Sequence, residues 1–323
     1  MNATVAGRVR LYDRQPALAD FRQTVLDGLS RHPRAIPPKF FYDAEGSRLF
    51  DAICECPEYY PTRTEKALLA RHAEAIAERV GPACLLIEPG SGSSEKVRLL
   101  LDTLRPAAYL PMDISRHYLF ETARNLGREY PWLAIHAACI DFTRAISLPF
   151  APPNVRRVAF FPGSSIGNFD PDDARTFLRH LAETVGPGGG LLIGVDCKKD
   201  RQRLEAAYND AAGITARFNL HLLERINAEL DGDFDLDGFR HHAFYNAEAG
   251  RIEMHLVSRK AQTVHIGENR FDFAAEESIH TENSYKYHVD EFAALAQSAG
   301  FTLQQVWQDD EGLFSLQYYE VES

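Results

Sequence analysis

The densest run of reactive chemistry in the chain is Ile87-Glu88-Pro89-Gly90-Ser91-Gly92-Ser93-Ser94-Glu95-Lys96, set between an apolar run and a helical stretch. Gly90 and Gly92 let the backbone turn tightly and approach a ligand. The stretch is not a full dinucleotide fingerprint, because Glu95 stands at the third glycine position, and it lacks the G-x-x-x-x-G-K of a phosphate loop. Asp113 ends the next apolar run, where a carboxylate accepts from both hydroxyls of a ribose. Asp141-Phe142 ends the third, where an Asp can take an adenine amino group and a Phe can cover the ring. Each Asp alone reads equally well as a loop cap. Three such features at successive strand ends point to an adenosine compound. With no evident pyrophosphate cradle, S-adenosylmethionine fits better than NAD.

A second loop, Phe161-Pro162-Gly163-Ser164-Ser165-Ile166-Gly167-Asn168-Phe169, follows a fourth apolar run. In a fold of this kind it faces the reacting methyl, so Gly163 and Asn168 are candidates for substrate contact. The Asn168 amide can orient an amine lone pair without holding a charge; its bland reading is a turn or cap. Aromatic residues cluster at Phe40-Phe41-Tyr42 and at Pro57-Glu58-Tyr59-Tyr60-Pro61, where Tyr and Pro read as a loop holding rings at a surface or over a pocket. A last group comprises Tyr208 on a helix, Met254 on a strand and Thr281-Glu282-Asn283-Ser284, read as a loop. Taken alone, Glu282 is a solvated charge, Met254 a core residue, and His241-His242 a surface pair.

The elements that must position these residues alternate from Thr64 onward. Apolar runs at 84–87, 108–112, 133–139, 155–161 and 191–195 interleave with helices at 64–80, 95–104, up to about 128, and 171–185. Short, continuously apolar strands alternating with helices predict a doubly wound, mostly parallel α/β sheet of Rossmann-like type. After Lys199 the texture changes to helices at 201–212 and 215–230, then antiparallel strands over 241–266, which is an α+β pattern. A helix at 290–298 and strands at 301–307 and 313–321 return to the sheet. The domains expected are 63–198 with 287–323, binding cofactor, and 1–62 with 199–286, binding substrate.

Composition narrows the function. The 323 residues are 45% hydrophobic, enough for a sizeable core, and Lys+Arg 35 against Asp+Glu 46 leaves −11. An acidic chain is repelled by nucleic acid and by anionic membranes. No 18-residue apolar run and no N-terminal leader pattern appear. Cys54, Cys56, Cys84, Cys139 and Cys197 carry no zinc spacing, and a reducing, cytoplasmic setting fits them. No other His or Asp group shows ligand spacing, so no metal is expected.

Longer strings are more specific than a G-x-G turn. Pro38-Lys39-Phe40-Phe41-Tyr42-Asp43, Leu49-Phe50-Asp51, Pro57-Glu58-Tyr59-Tyr60-Pro61-Thr62-Arg63, the 90–96 and 162–168 loops, Ala207-Tyr208-Asn209-Asp210 and Arg251-Ile252-Glu253-Met254 together resemble the histidine N-alpha-methyltransferases of ergothioneine biosynthesis, over nearly the whole chain. The resemblance implies that Gly90, Lys96, Asp113, Asp141 and Phe142 contact S-adenosylmethionine, with S-adenosylhomocysteine as product. It implies that Tyr42 lies near the cofactor and the reacting amine, that Tyr59 and Tyr208 hold the substrate carboxylate, and that Asn168 orients the amine. It also implies that Glu282 and Ser284 bind the imidazole of L-histidine beside Met254, and that the protein is a monomer. Pro89 and Tyr285 depart from the family pattern, where a leucine and a smaller residue are common; either could shift its loop.

The activity this implies is trimethylation of the α-amine of histidine to hercynine. Three rivals differ in class. An N-methyltransferase of another aromatic amino acid would leave Glu282 and Ser284 facing an apolar ring. An NAD-dependent oxidoreductase lacks its third glycine. A non-catalytic module would bind cofactor without turnover.

Overall fold

The computed structural model describes residues 3–6, 8–14, 18–143 and 147–322. In chain order the elements are β1 (Ala3–Ala6), β2 (Val9–Asp13), α1 (Leu18–Ser30), β3 (Arg34–Ala35), α2 (Ala44–Cys54), α3 (Tyr60–Val80), β4 (Leu85–Pro89), α4 (Glu95–Leu104), β5 (Ala108–Asp113), α5 (Arg116–Glu129), β6 (Ala134–Cys139), β7 (Arg157–Phe161), α6 (Pro171–Val185) and β8 (Gly190–Asp196). They continue as α7 (Arg201–Ala206), α8 (Ile214–Leu230), β9 (Phe239–Asn246), β10 (Arg251–Ser258), β11 (Gln262–Ile266), β12 (Asn269–Phe273), β13 (Ser278–Tyr285), α9 (Val289–Ser298), β14 (Phe301–Gln308) and β15 (Phe314–Val321). The chain divides into two compact units, one of residues 1–15, 61–198 and 285–323, the other of 16–60 and 199–284.

The first unit holds a nine-stranded sheet in the order β1-β2-β6-β5-β4-β7-β8-β15-β14. From β2 to β8 every pairing is parallel, and β15 and β14 close it antiparallel. Leu85, Leu86 and Ile87 of β4 are all buried, as a strand covered on both faces requires. Leu68, Leu100 and Leu126 of α3, α4 and α5 pack with Leu86 and Phe160. Phe177, Leu181 and Phe292 of α6 and α9 pack with Phe161 and Ile193 in a separate cluster. The order reverses at β4, which pairs with both β5 and β7; ligands of open α/β sheets bind at the carboxyl ends of the strands beside such a switch point.

The second unit carries a four-stranded sheet ordered β3-β13-β10-β9 and a separate β11-β12 hairpin. Phe218, Leu222, Ile226 and Leu230, stepping by one turn, form the buried stripe of α8. Asp43 caps α2 by accepting from Gly46 N–H at 2.7 Å. His221 and Arg225 of α8 reach the same carboxylate, at 2.9 and 3.5 Å.

Four expectations need correction. The N-terminal stretch assigned to the substrate domain begins instead in the nine-stranded sheet: β2 runs parallel to β6, pairing Val9 with Ile135 and Asp13 with Cys139. Val9 and Leu11 are buried there, and the strand is too short for its pattern to stand out. Residues 1–2, 7, 15–17, 144–146 and 323 of the expected domains lie outside the described residues. Thr281-Glu282-Asn283-Ser284 is not a loop but lies in β13, and its polar side chains are turned inward or half-buried. Tyr60 is not in a loop but opens α3, and both it and Tyr59 are buried. The helix expected over 201–212 stops at Ala206, where turns through Asn209 and Gly213 replace it.

Candidate functional site

Within the first unit, the 90–96 loop links β4 to α4. Gly90 sits at φ +66° and Gly92 at φ +49°. A Cβ on Gly90 would stand 3.1 Å from the Phe142 ring, so a side chain there would meet both backbone strain and that ring. Ser91 N–H donates to Met112 O at 3.0 Å, tying the turn to β5. Ser91 is 6% exposed, and among the described residues its Oγ has no hydrogen-bond partner. A buried polar atom left open in a glycine turn is a place for a ligand's polar group.

Asp113 accepts from Gly92 N–H at 3.1 Å and from Ser115 N–H at 2.9 Å. Burial raises its pKa against those donors. Asp141 caps its own turn, accepting from Thr143 N–H at 3.1 Å, and Phe142 packs edge-on to Phe161 and Phe177. Glu88, at the end of β4, is 1% exposed. Burial lifts its pKa to about 8, although the Tyr109 hydroxyl donates to it and Lys96 lies near.

Lys96 lies on α4, 2.7 Å from Oε2 of Glu65 on α3. Glu65 is fully buried, and its two oxygens accept from Gly163 N–H at 2.9 Å each. Helix periodicity made Glu65 look like one more charge on α3, so sequence reasoning missed it. Gly163 (φ +84°) and Ser164 (φ +55°) are consecutive left-handed residues at the head of the second loop. The Ser164 Oγ accepts from Asp196 N–H at 2.9 Å, holding a conformation that a non-glycine residue rarely adopts. A 3-10 turn, Ser165–Asn168, follows and leaves Asn168 half-buried at its end.

Within the second unit a different set converges. The Tyr208 hydroxyl donates to Ser284 Oγ at 2.7 Å. The Tyr59 and Tyr208 rings meet edge-on at 6.2 Å, and Tyr42 and Tyr59 both pack against Phe50. Burial, then the neighbouring Tyr208, Cys54, Glu282 and Tyr42, holds the Tyr59 hydroxyl well above the ordinary tyrosine range. Glu282, two residues before Ser284 on β13, is buried at 8% exposure. Met254 is buried on β10, and its carbonyl lies 3.0 Å from Thr281 Oγ1. Asn219 on α8 joins the network: it accepts from Thr281 Oγ1 at 2.7 Å, donates to His255 O and meets His241 Nδ1. His241 also reaches Tyr208 O at 2.9 Å, so it is more than the surface residue expected.

Glu253, His255 and His280 bring one ligand atom each within 4.8 Å of one another, a grouping invisible in linear spacing because His280 comes from the neighbouring strand. The His255 and His280 rings stack 4.6 Å apart and 10° from parallel, so their lone pairs run side by side instead of converging. Arg251 already pairs with Glu253 at 2.8 Å. Burial works to raise Glu253, but donors from Asn246, Arg251 and His255 bring it down to about 2. His280 Nε2 lies 3.1 Å from the Glu282 carbonyl, tying this stack to the strand that carries Glu282.

A family model described as "Histidine-specific methyltransferase, SAM-dependent" matches residues 21–321. The histidine N-alpha-methyltransferase of Mycolicibacterium smegmatis is 44% identical over 302 residues, covering 91% of this chain and 93% of that protein. That of Mycobacterium tuberculosis is 43% identical over 305 residues, with 91% and 93% covered. Ergothioneine biosynthesis protein 1 of Neurospora crassa is 32% identical over 295 residues, covering 85% of this chain and 32% of the fungal protein.

Proposed function

Because the chain belongs to the family of histidine-specific, S-adenosylmethionine-dependent methyltransferases, we propose that it methylates the α-amine of L-histidine three times, giving hercynine in the first step of ergothioneine biosynthesis. The observation that supports histidine over other amino acids is the buried Glu282 beside the Tyr208–Ser284 hydrogen bond. An imidazole offers this group an N–H and a ring nitrogen; a phenyl ring offers neither, and its polar neighbours would have to be desolvated against carbon.

The first-unit residues fit the cofactor. The left-handed turn at Gly90, the open Ser91 Oγ and the remaining acceptor capacity of Asp113 suit an adenosine compound with a polar tail. When bound, S-adenosylmethionine supplies an electrophilic sulfonium methyl, so the protein's work is placement and selection of a neutral amine. Asp113 accepts the ribose hydroxyls, Asp141 the adenine amino group, and Phe142 covers the ring. Lys96 receives an anionic group. Tyr59 and Tyr208 hold the substrate carboxylate, with Gly163 and Met254 lining the substrate. The Asn168 amide orients the amine lone pair. A free α-amine has a pKa of about 8, so it arrives mostly protonated at neutral pH; its proton leaves to water, directly or relayed through the Tyr42 hydroxyl, which gives up its own proton as it accepts one. The unit of residues 61–198 and 285–323 is the cofactor domain in this reading, and that of 16–60 and 199–284 the substrate domain. We place the protein in the cytoplasm as a monomer that needs no metal. No helix of the described residues is long and apolar enough to cross a membrane.

Mass spectrometry of an equimolar amino-acid mixture incubated with S-adenosylmethionine tests this. Histidine gaining three methyl groups through mono- and dimethyl intermediates is expected. Methylation of another amino acid in its place would overturn the roles given to Glu282 and Ser284.

A further inference from the structure

Four elements of the first unit meet at one carboxylate. Glu65 comes from α3, Lys96 from α4, Gly163 from the loop after β7 and Gly194 from β8. Gly194 is what admits the side chain: a Cβ there would stand 1.9 Å from Glu65 Oε1. The carboxylate receives Gly163 N–H on both oxygens and Lys96 Nζ on one. A Cβ on Gly163 would in turn lie 3.1 Å from Lys96 Nζ, so loop and ammonium are packed against each other.

The arrangement has a physical logic. A buried carboxylate is tolerated only with a cation and donors around it, and Glu65 at 0% exposure has both. Lys96 keeps 19% of its side chain exposed and carries three donors, of which Glu65 takes one. Its flexible stem is thereby fixed while the ammonium stays available to an anion. The loop that Glu65 grips has Gly163, a glycine that enters the left-handed region freely, followed by Ser164, a non-glycine residue there that persists only when its surroundings over-determine it. One buried group therefore governs both the cation and the loop that ends at Asn168.

We infer that Glu65 is a positioning residue with two separable duties: its charge fixes Lys96 for an anionic group of the cofactor, and its oxygens fix the Gly163–Asn168 loop. The inference rests on the methyltransferase reading above. Glu65→Gln separates the duties, since an amide still accepts from Gly163 N–H but forms no ion pair. Gly194→Ala disturbs both by displacing the side chain.

The test measures the Kd of S-adenosylmethionine and S-adenosylhomocysteine by calorimetry without any acceptor, and then kcat at saturating substrates. For Glu65→Gln, Kd is expected to rise about tenfold or more while kcat stays within about threefold, the scale of one charge-assisted contact. For Gly194→Ala both should worsen. Adding Glu65→Gln to Lys96→Met should leave Kd no weaker than Lys96→Met alone. Wild-type Kd in Glu65→Gln, or losses that multiply in the double variant, would overturn the role; these arms hold even where Gly194→Ala does not fold. A wild-type chain that binds cofactor but methylates a different amino acid would overturn the histidine reading alone, and the Kd comparison would still decide for or against Glu65.

Discussion

The Tyr208 hydroxyl donates to Ser284 Oγ at 2.7 Å, joining the turn after α7 to β13. Both side chains are buried, at 7% and 5% exposure, so the bond is not exchanged freely with water. Tyr208→Phe removes the donor and keeps the ring. We expect KM for histidine to rise about tenfold with kcat changed much less, and stability to fall by about 1 kcal/mol. Ser284→Ala should act similarly, and the double variant should cost less than the sum in steady-state kinetics, because the two share one interaction.

Glu282→Ala tests the choice of substrate. The loss in kcat/KM for histidine should exceed that for phenylalanine by about a hundredfold, because only the imidazole has an N–H to lose a partner. Competition assays with both amino acids in one vessel read the ratio directly. Equal losses for the two would place Glu282 outside recognition.

Gly90→Ala tests the turn. An alanine at φ +66° costs roughly 1–2 kcal/mol of backbone strain, and its Cβ meets the Phe142 ring at 3.1 Å. Cofactor Kd should weaken about tenfold or more, while the far-ultraviolet circular dichroism stays that of the wild type. An unchanged Kd by calorimetry would mean that no ligand lies against this backbone.

Glu88 ties stability to pH. Its folded pKa of about 8 exceeds the unfolded 4.5 because of burial. The folded state therefore holds a proton that the unfolded state has lost between these values. The stabilisation is fully present below pH 4.5 and is lost as pH rises through 8, at about 1.4 kcal/mol per pH unit. His136, which burial lowers to about 4, acts in the opposite sense, losing stability as pH falls from 6.5. Urea unfolding of wild type and Glu88→Gln at pH 5.5, 6.5 and 7.5 isolates the first effect. The wild type should lose stability relative to the variant as pH rises, and parallel curves would refute the assignment.

The sheet was legible because strands buried on both faces are written as unbroken apolar runs, as at 85–87 and 191–193. Helices α4 and α6 begin and end where their periodicity and flanking turn residues place them. β2 was hidden because a five-residue strand is too short for its burial pattern to stand out. β13 was misread because its polar residues are partners of other elements: Thr281 bonds Asn219 and Ser284 bonds Tyr208, and polarity usually means solvent. Among the site residues, glycine loops and strand-end carboxylates announce themselves by type and position. Glu65 does not, since nothing local distinguishes a helical glutamate facing water from one facing an ammonium and two glycines. The Glu253, His255 and His280 grouping fails for the same reason, because it exists only through strand pairing.

The first unit is interrupted in sequence, and this sets an order of assembly. β2 lies beside β6, with Asp13 paired to Cys139, 126 positions later (139 − 13). The outer edge of β8 is closed by β15, with Asp196 paired to Phe314, 118 positions later (314 − 196). Pairings this distant are slow to form, because the loop-closure entropy must be met before any contact rewards it. During synthesis residues 199–284 emerge before β15, so the second unit's larger segment is available to collapse while β8 still presents an open strand edge. Such an edge is a template for pairing with another chain. An unpaired β8 edge is therefore a liability of the nascent chain until residues 314–321 arrive, and shortening that interval, or shielding the edge with a chaperone, is expected to raise the yield of folded enzyme without touching any residue of the site.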